Sequence, residues 1–360
     1  MFITNGTSRR LRHLAASGAA LVALTALSAG CGAPSSEHPN QSEQPAAGGE
    51  LLLYSAQHEQ TTKALVTAFT KETGIKVKVV HLDEGAAVAK IEQEGDKSPA
   101  DLVYTENSPW LAQLDQKGLL AKVEDATLGA VPKADSAASG NWVAVSARMM
   151  GITYNPDKVP ANQLPHSVLD LAGPQWKDKI ELAPSETDFW PVVSSVLHAK
   201  GKDATLAWLN GLKANAGANA AVPSNENLAA DINQGNAGLG ILNSYYFYRL
   251  KAEVGVDSVK SQFAYFAPQD PGYVQDISGA AVVKSSKNQA AAQKFLAFLT
   301  GKSGQTILAT SDSFEYPLAA GVAANAQLPA LNTLAPNAFS VADMGTCEDA
   351  KTLLQEAQLL

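Results

Sequence analysis

The sequence lacks most of the signatures that an enzyme of this size would display. "HEQTT" at His58 has Thr62 where the second histidine of a zinc HExxH would stand. "LAFLTGKS" has Leu296 in place of the first P-loop glycine, "GNAGLG" has the wrong spacing for a dinucleotide loop, and no GxSxG occurs. No internal repeat or coiled-coil heptad is visible. The six histidines are scattered: His13 and His38 lie near the amino terminus, and His81, His166 and His198 read as surface or packing residues. Catalysis is therefore not the expected activity.

Long apolar runs are equally scarce. The run from Leu14 to Ala29 follows Arg9, Arg10 and Arg12, carries no acid and is short for a membrane span, so residues 1–30 read as a secretory signal. It ends in "LSAGC", an imperfect match to a bacterial lipoprotein cleavage site, with small residues ahead of Cys31. Lipidation of Cys31 would tether an exported chain to the outer face of the cytoplasmic membrane or within the periplasm. Residues 31–49, rich in Pro, Ser, Gly, Ala and Gln, read as a flexible tether. The other cysteine, Cys347, is then a free buried thiol; a disulfide between the two requires an unlipidated Cys31.

Basic residues are outnumbered, 27 against 35 acidic. Removing the three signal arginines leaves 24, a net charge of −11 on the mature chain. That balance excludes nucleic acid as the expected partner and favours a cation.

What remains from Leu51 onward is about 310 residues of ordinary globular sequence, enough for one large or two medium domains. "ELLLYSAQHEQ" reads as a buried strand ending in a loop at His58. A helix from Thr61 to Thr73, the strand "IKVKVV", a helix from Ala86 to Glu94 and the strand "DLVYT", ending at Glu106, follow. This alternation predicts a parallel α/β sheet with binding loops at the carboxyl ends of its strands, where His58 and Glu106 both fall. Two strand-like runs, Trp142 to Val145 and Met150 to Tyr154, flank Arg148 and predict a crossing to a second α/β lobe. Strand character returns near "DISGAAVVKSSKN", followed by the helix Gln289 to Leu299, which predicts re-entry into the first lobe. The expected lobes are 50–146 with 272–320, and 147–271 with 321–360. Asp276 lies close to that crossing; Tyr54 and Tyr104, inside strand runs, read as core.

In "GLGILNSYYFYRL" a buried strand runs through Leu242, Asn243 and Ser244 can cap, and a helix begins. Taken alone, the aromatic cluster reads as a core wedge. A strand-to-helix turn can instead aim neighbouring side chains at one point, so Tyr245 and Tyr246 could share a ligand, with the positive helix end favouring phenolates. Tyr248 falls on another face and reads as packing.

Four separated segments, "LLLYSAQHEQ", "EQEGDKSPADLVYTEN", "GILNSYYFYR" and "SGAAVVKSSKN" with "FLAFLTGKSGQ" and "EYPL", are similar in order to periplasmic ferric-ion-binding proteins, the solute-binding components of iron ABC importers. The resemblance implies a two-lobe periplasmic-binding-protein fold of class II with a cleft between lobes, working as a monomer with an importer permease and ATPase. It implies that His58, Glu106, Tyr245 and Tyr246 bind Fe³⁺. A hard trivalent cation suits three anionic oxygens and one neutral nitrogen, and a metal can deprotonate a phenol at neutral pH. The set falls short of six ligands; in the family an anion such as phosphate or carbonate, or water, fills the rest. Ser185, Thr187, Asn225 and Asn243 lie where relatives place anion donors, and Arg148 could add a fixed positive charge. Glu186 departs from that pattern, since a carboxylate beside an anion repels it.

Two rivals remain. The same fold could hold an organic solute, with Tyr245, Phe247 and Tyr248 stacking on it and Arg148 holding a carboxylate. An exported metalloenzyme would need a general base, for which Glu186 is the one obvious candidate.

Overall fold

The computed structural model describes residues 49–360. The expected signal, Cys31 and the tether through residue 48 lie outside the described residues. Among the described residues no helix is long and apolar enough to cross a membrane.

Strand β1 (Leu51–Ala56) leads into helix α1 (Glu59–Thr73), which Gly74 ends in a left-handed conformation, its N–H donating to the Thr70 carbonyl. β2 (Val77–His81), α2 (Glu84–Glu94), β3 (Leu102–Thr105) and α3 (Ser108–Gln116) complete the first alternation, and a single turn of helix, α4 (Asp125–Leu128), follows. As expected from the βα pattern, β1 lies between β2 and β3 with all three parallel. The sheet then departs from the parallel expectation. A strand from much later in the chain, β8 (Gln275–Val282), inserts antiparallel beside β3, making the sheet mixed.

The two strand runs around Arg148 are one element, β4 (Val143–Tyr154), buried along its whole length. The sequence reads as interrupted because Ser146 and Arg148 are polar; the strand continues because both find buried partners. β4 is also the crossing. Its first part, to Met149, pairs with β8, and from Met150 to Tyr154 it pairs with β6 (Leu239–Asn243). One chain segment thus belongs to two sheets.

The second sheet is built from β5 (Ile180–Glu181), followed by α5 (Phe189–Lys200), α6 (Lys202–Ala216) and α7 (Asn225–Gln234), then β6 (Leu239–Asn243). β6 turns directly into α8 (Ser244–Val254), and β7 (Gln262–Ala264) pairs with the far end of β4. The chain returns along β8 (Gln275–Val282), the strand between β3 and β4. α9 (Gln289–Thr300) and α10 (Lys302–Thr310) then cover α1. Phe69 of α1 meets Phe295 and Phe298 of α9 edge-on, with ring centroids 4.9 and 5.5 Å away.

The short β9 (Tyr316–Pro317) pairs with β4 beside Ser146. α11 (Val341–Met344) and α12 (Glu348–Glu356) close the chain, α12 packing on α5 and α6. Cys347 is a buried free thiol, which burial pushes up to about 12.

Candidate metal site

His58 occupies the residue before α1, at the carboxyl end of β1, and Glu106 follows β3. Because β1 and β3 are parallel neighbours with Ala56 beside Thr105, both side chains leave the sheet at the same edge. His58 Nδ1 is 3.2 Å from Glu106 Oε1. Tyr245 and Tyr246 stand in the first turn of α8, with ring centroids 4.0 Å apart, and both are buried. Tyr245 Oη reaches Glu106 Oε2 at 3.3 Å. The four residues singled out in the sequence therefore meet at one place, and the tyrosine pair is not a remote aromatic wedge. Tyr248 points elsewhere and stacks on Phe314.

The candidate anion-holding residues are arranged differently from an open anion pocket. Asn225 donates through Nδ2 to Tyr246 Oη at 3.2 Å and to Asp188 Oδ2 at 3.1 Å. Thr187 Oγ1 accepts from the Trp110 indole at 3.1 Å, and Ser185 is exposed on the cleft wall. Asn243 is buried behind the tyrosines, near Asp276. Instead of capping α8 through its side chain, it is held toward the crossing strands. Glu186 lines the cleft, where burial first and then Asp188, Glu226 and Asp83 push its carboxyl up to about 7.

Arg148 is fully buried in β4. Its Nη2 donates to Asn107 Oδ1 at 2.7 Å and to Asp276 Oδ2 at 3.0 Å. Glu106 and Asp188 each lie 3.6 Å from the guanidinium. Burial opposes its charge, but Asp276, Asp188 and Glu315 more than offset that and keep it protonated. A buried pair of this kind gives little net stability, while removing one partner costs about 3–5 kcal/mol.

Sequence reasoning missed two residues of this site. Asp188 is buried, with Oδ2 3.5 Å from Tyr245 Oη and Oδ1 without a hydrogen-bond partner. It sits immediately before α5, where an aspartate reads as an ordinary cap. Arg249, one helical turn after Tyr245, places Nη1 2.9 Å from His58 Nε2. The i, i+4 spacing puts it on the tyrosine face, a signal the sequence did offer.

Burial dominates the electrostatics of the site. Burial lifts Tyr245 and Tyr246 well above the usual phenol range, reinforced by Asp188. Burial likewise lifts Glu106 well above the carboxylate range, with Arg148 opposing. Burial, then Arg249 and Arg148, lower His58 to about 3. A neutral His58 with Nε2 accepting from Arg249 carries its proton on Nδ1, directed at Glu106. Two phenols, two carboxyls and an imidazole converge beside an open cleft of about 860 Å³ that reaches His58, Glu106 and Tyr246. This donor set suits a hard, highly charged cation.

Comparison with known proteins agrees with that chemistry. Residues 55–306 match the model of the bacterial extracellular solute-binding protein family. The chain is 39% identical over 310 residues to the Fe(3+)-binding periplasmic protein of Serratia marcescens, covering 86% of this chain and 90% of the relative. The chain belongs to the periplasmic ferric-ion-binding family of solute-binding proteins. The structure of iron-bound HitA from Pseudomonas aeruginosa superposes with a TM-score of 0.81 at 36% identity, covering 86% of this chain and 99% of that one. A Trichodesmium protein in complex with iron and citrate gives a TM-score of 0.76 at 28% identity, covering 87% and 100%. The fold of this solute-binding protein is thus the two-lobe arrangement of its family, and the protein is not an enzyme.

Proposed function

We propose that this protein captures Fe³⁺ outside the cytoplasm with His58, Glu106, Tyr245 and Tyr246 and delivers it to an ABC importer permease and its ATPase. The observation that carries the reading is the convergence of Tyr245 on Glu106 at 3.3 Å, which brings a phenol from α8 to a carboxyl from β3. Cleft closure around the ion would present a loaded form to the importer. Cys31, lipidated, would hold the working monomer at the membrane.

Asp188 joins the proposed ligand set. Its carboxyl occupies the side of the site flanked by Thr187 and Asn225, where an external phosphate or carbonate was expected. A fixed carboxylate there supplies what the anion would. Metal entry must displace protons from Tyr245, Tyr246 and Glu106, so affinity should rise with pH.

The test is a visible absorption titration of the iron-free protein with a soluble ferric chelate, alongside Tyr245→Phe and Tyr246→Phe. A phenolate-to-iron charge-transfer band that saturates at one iron per protein, and is lost or shifted in both variants, is the expected result. A folded wild type without the band would return the tyrosine pair to a packing role.

A further inference from the structure

A directional chain of hydrogen bonds ties the two ligand loops of the first sheet to each other through a strand of the crossing. The His58 backbone N–H donates to Gln57 Oε1 at 2.7 Å. Gln57 Nε2 donates to Ser278 Oγ at 3.1 Å, and Ser278 Oγ donates to the Thr105 carbonyl at 2.8 Å. Thr105 is the residue before Glu106. The second Gln57 Nε2 hydrogen is directed at Glu315 Oε1 at 3.2 Å, and Glu315 in turn accepts from Ser146 of β4. Both Gln57 and Ser278 are buried, and these partners fix which way the Gln57 amide faces.

We propose that Gln57 and Ser278 are positioning residues for the metal: together they set the distance between His58 and Glu106 and make it depend on β8. The inference rests on the ferric reading above. A buried glutamine that only satisfied itself could bond within its own loop. Gln57 instead joins the His58 loop to β8 and to the segment before β9, 221 and 258 residues further along the chain. The Ser278 hydroxyl bonds to both ligand loops, in addition to the direct pairing of β1 with β3. β8 pairs with β3 on one side and with β4, at Arg148 and Met149, on the other. A change in the crossing strands can therefore reach both ligand loops through this hydroxyl.

The experiment measures ferric affinity, by competition with nitrilotriacetate, and the energy of the charge-transfer band. It compares wild type, Gln57→Met and Ser278→Ala, each alone and combined with His58→Gln. Outer partners of metal ligands typically contribute about ten- to a hundredfold in affinity, and a loss of that size is expected for each single variant. The band energy should stay put, because the tyrosines are untouched. On the His58→Gln background the Gln57→Met loss should vanish, while Ser278→Ala should keep the part it exerts through Glu106.

A merely structural role would give the same loss on both backgrounds, and that result overturns the inference; so does an unchanged affinity in both single variants. If Gln57→Met fails to fold, Ser278→Ala, which removes one oxygen, still decides: its loss must shrink on the His58→Gln background. A wild type with no band overturns the ferric reading and this inference with it. A normal wild-type band with equal losses on both backgrounds overturns this inference alone.

Discussion

Arg249 Nη1 stands 2.9 Å from Nε2 of His58, joining α8 to the loop after β1. The lone pair that a metal would take is held by a guanidinium, and burial with this charge brings His58 down to about 3. An unfolded chain protonates its histidine near 6.5. Between those values the unfolded form binds the extra proton, so iron-free stability is full above pH 6.5 and is lost as pH falls toward 3. The contribution reaches about 1.4 kcal/mol per pH unit inside that window. His58→Gln is expected to flatten this part of the profile. Thermal melts of iron-free wild type and variant between pH 7 and 4.5 check it; parallel curves would show that His58 stays accessible to protons in the folded protein.

Asp188 makes an anion requirement testable. Asp188→Ala removes a buried carboxyl with an unpartnered oxygen and leaves room between Thr187 and Asn225. Ferric affinity should fall by at least about tenfold, the lower end of what even outer partners contribute. Added phosphate should recover part of the loss in the variant and change little in wild type. Equal phosphate dependence in the two proteins would mean that Asp188 does not stand in for an anion.

Trp110 of α3 donates its indole N–H to Thr187 Oγ1 and packs near Trp190, with ring centroids 5.6 Å apart. The bond joins α3 to the loop before α5, across the same cleft that holds the proposed metal. Thr187→Val keeps the shape and removes the acceptor, at a net cost of about 0.5–1.5 kcal/mol. If the bond forms on closure, iron affinity should weaken roughly two- to tenfold. The iron-induced change in tryptophan fluorescence should shrink with it. An unchanged affinity would mean that the bond exists equally in the open form.

Gly151 lies in the second part of β4, where an added Cβ would come within 2.6 Å of the Ala264 carbonyl oxygen and 2.5 Å of the Phe263 ring. The ring can swing aside but the β7 backbone cannot, so Gly151→Ala should destabilise the protein by about 1–3 kcal/mol. Urea unfolding is the measurement. A midpoint equal to wild type would show that β7 yields at that contact.

The placing of His58 and Glu106 at strand ends was legible because an apolar run breaks into polar residues at each, whereas their grouping with Tyr245 and Tyr246 rested on the family resemblance. Asp188 was hidden by its position ahead of "FWPVV", where a cap explains it fully. The continuity of β4 was hidden by Arg148, a residue that sequence alone places on a surface. Its burial depends on Asp276, which lies 128 positions later. The insertion of β8 between β3 and β4 had the same cause: no local period records which distant strand will pair. The alternation of strand and helix was visible in outline, whereas the single strand that serves both sheets was not.

That insertion also sets an order of events for the chain as it is made. β3 and β4 cannot become neighbours through β8 until residues beyond 275 have appeared, and the Arg148 guanidinium has no Asp276 or Glu315 to meet before then. Closing so long a loop delays the sheet and slows its formation. A nascent first half therefore has an open sheet edge and an unmatched charge in place of a finished core. It stays loose until about the last quarter of the sequence arrives, and that segment completes the fold.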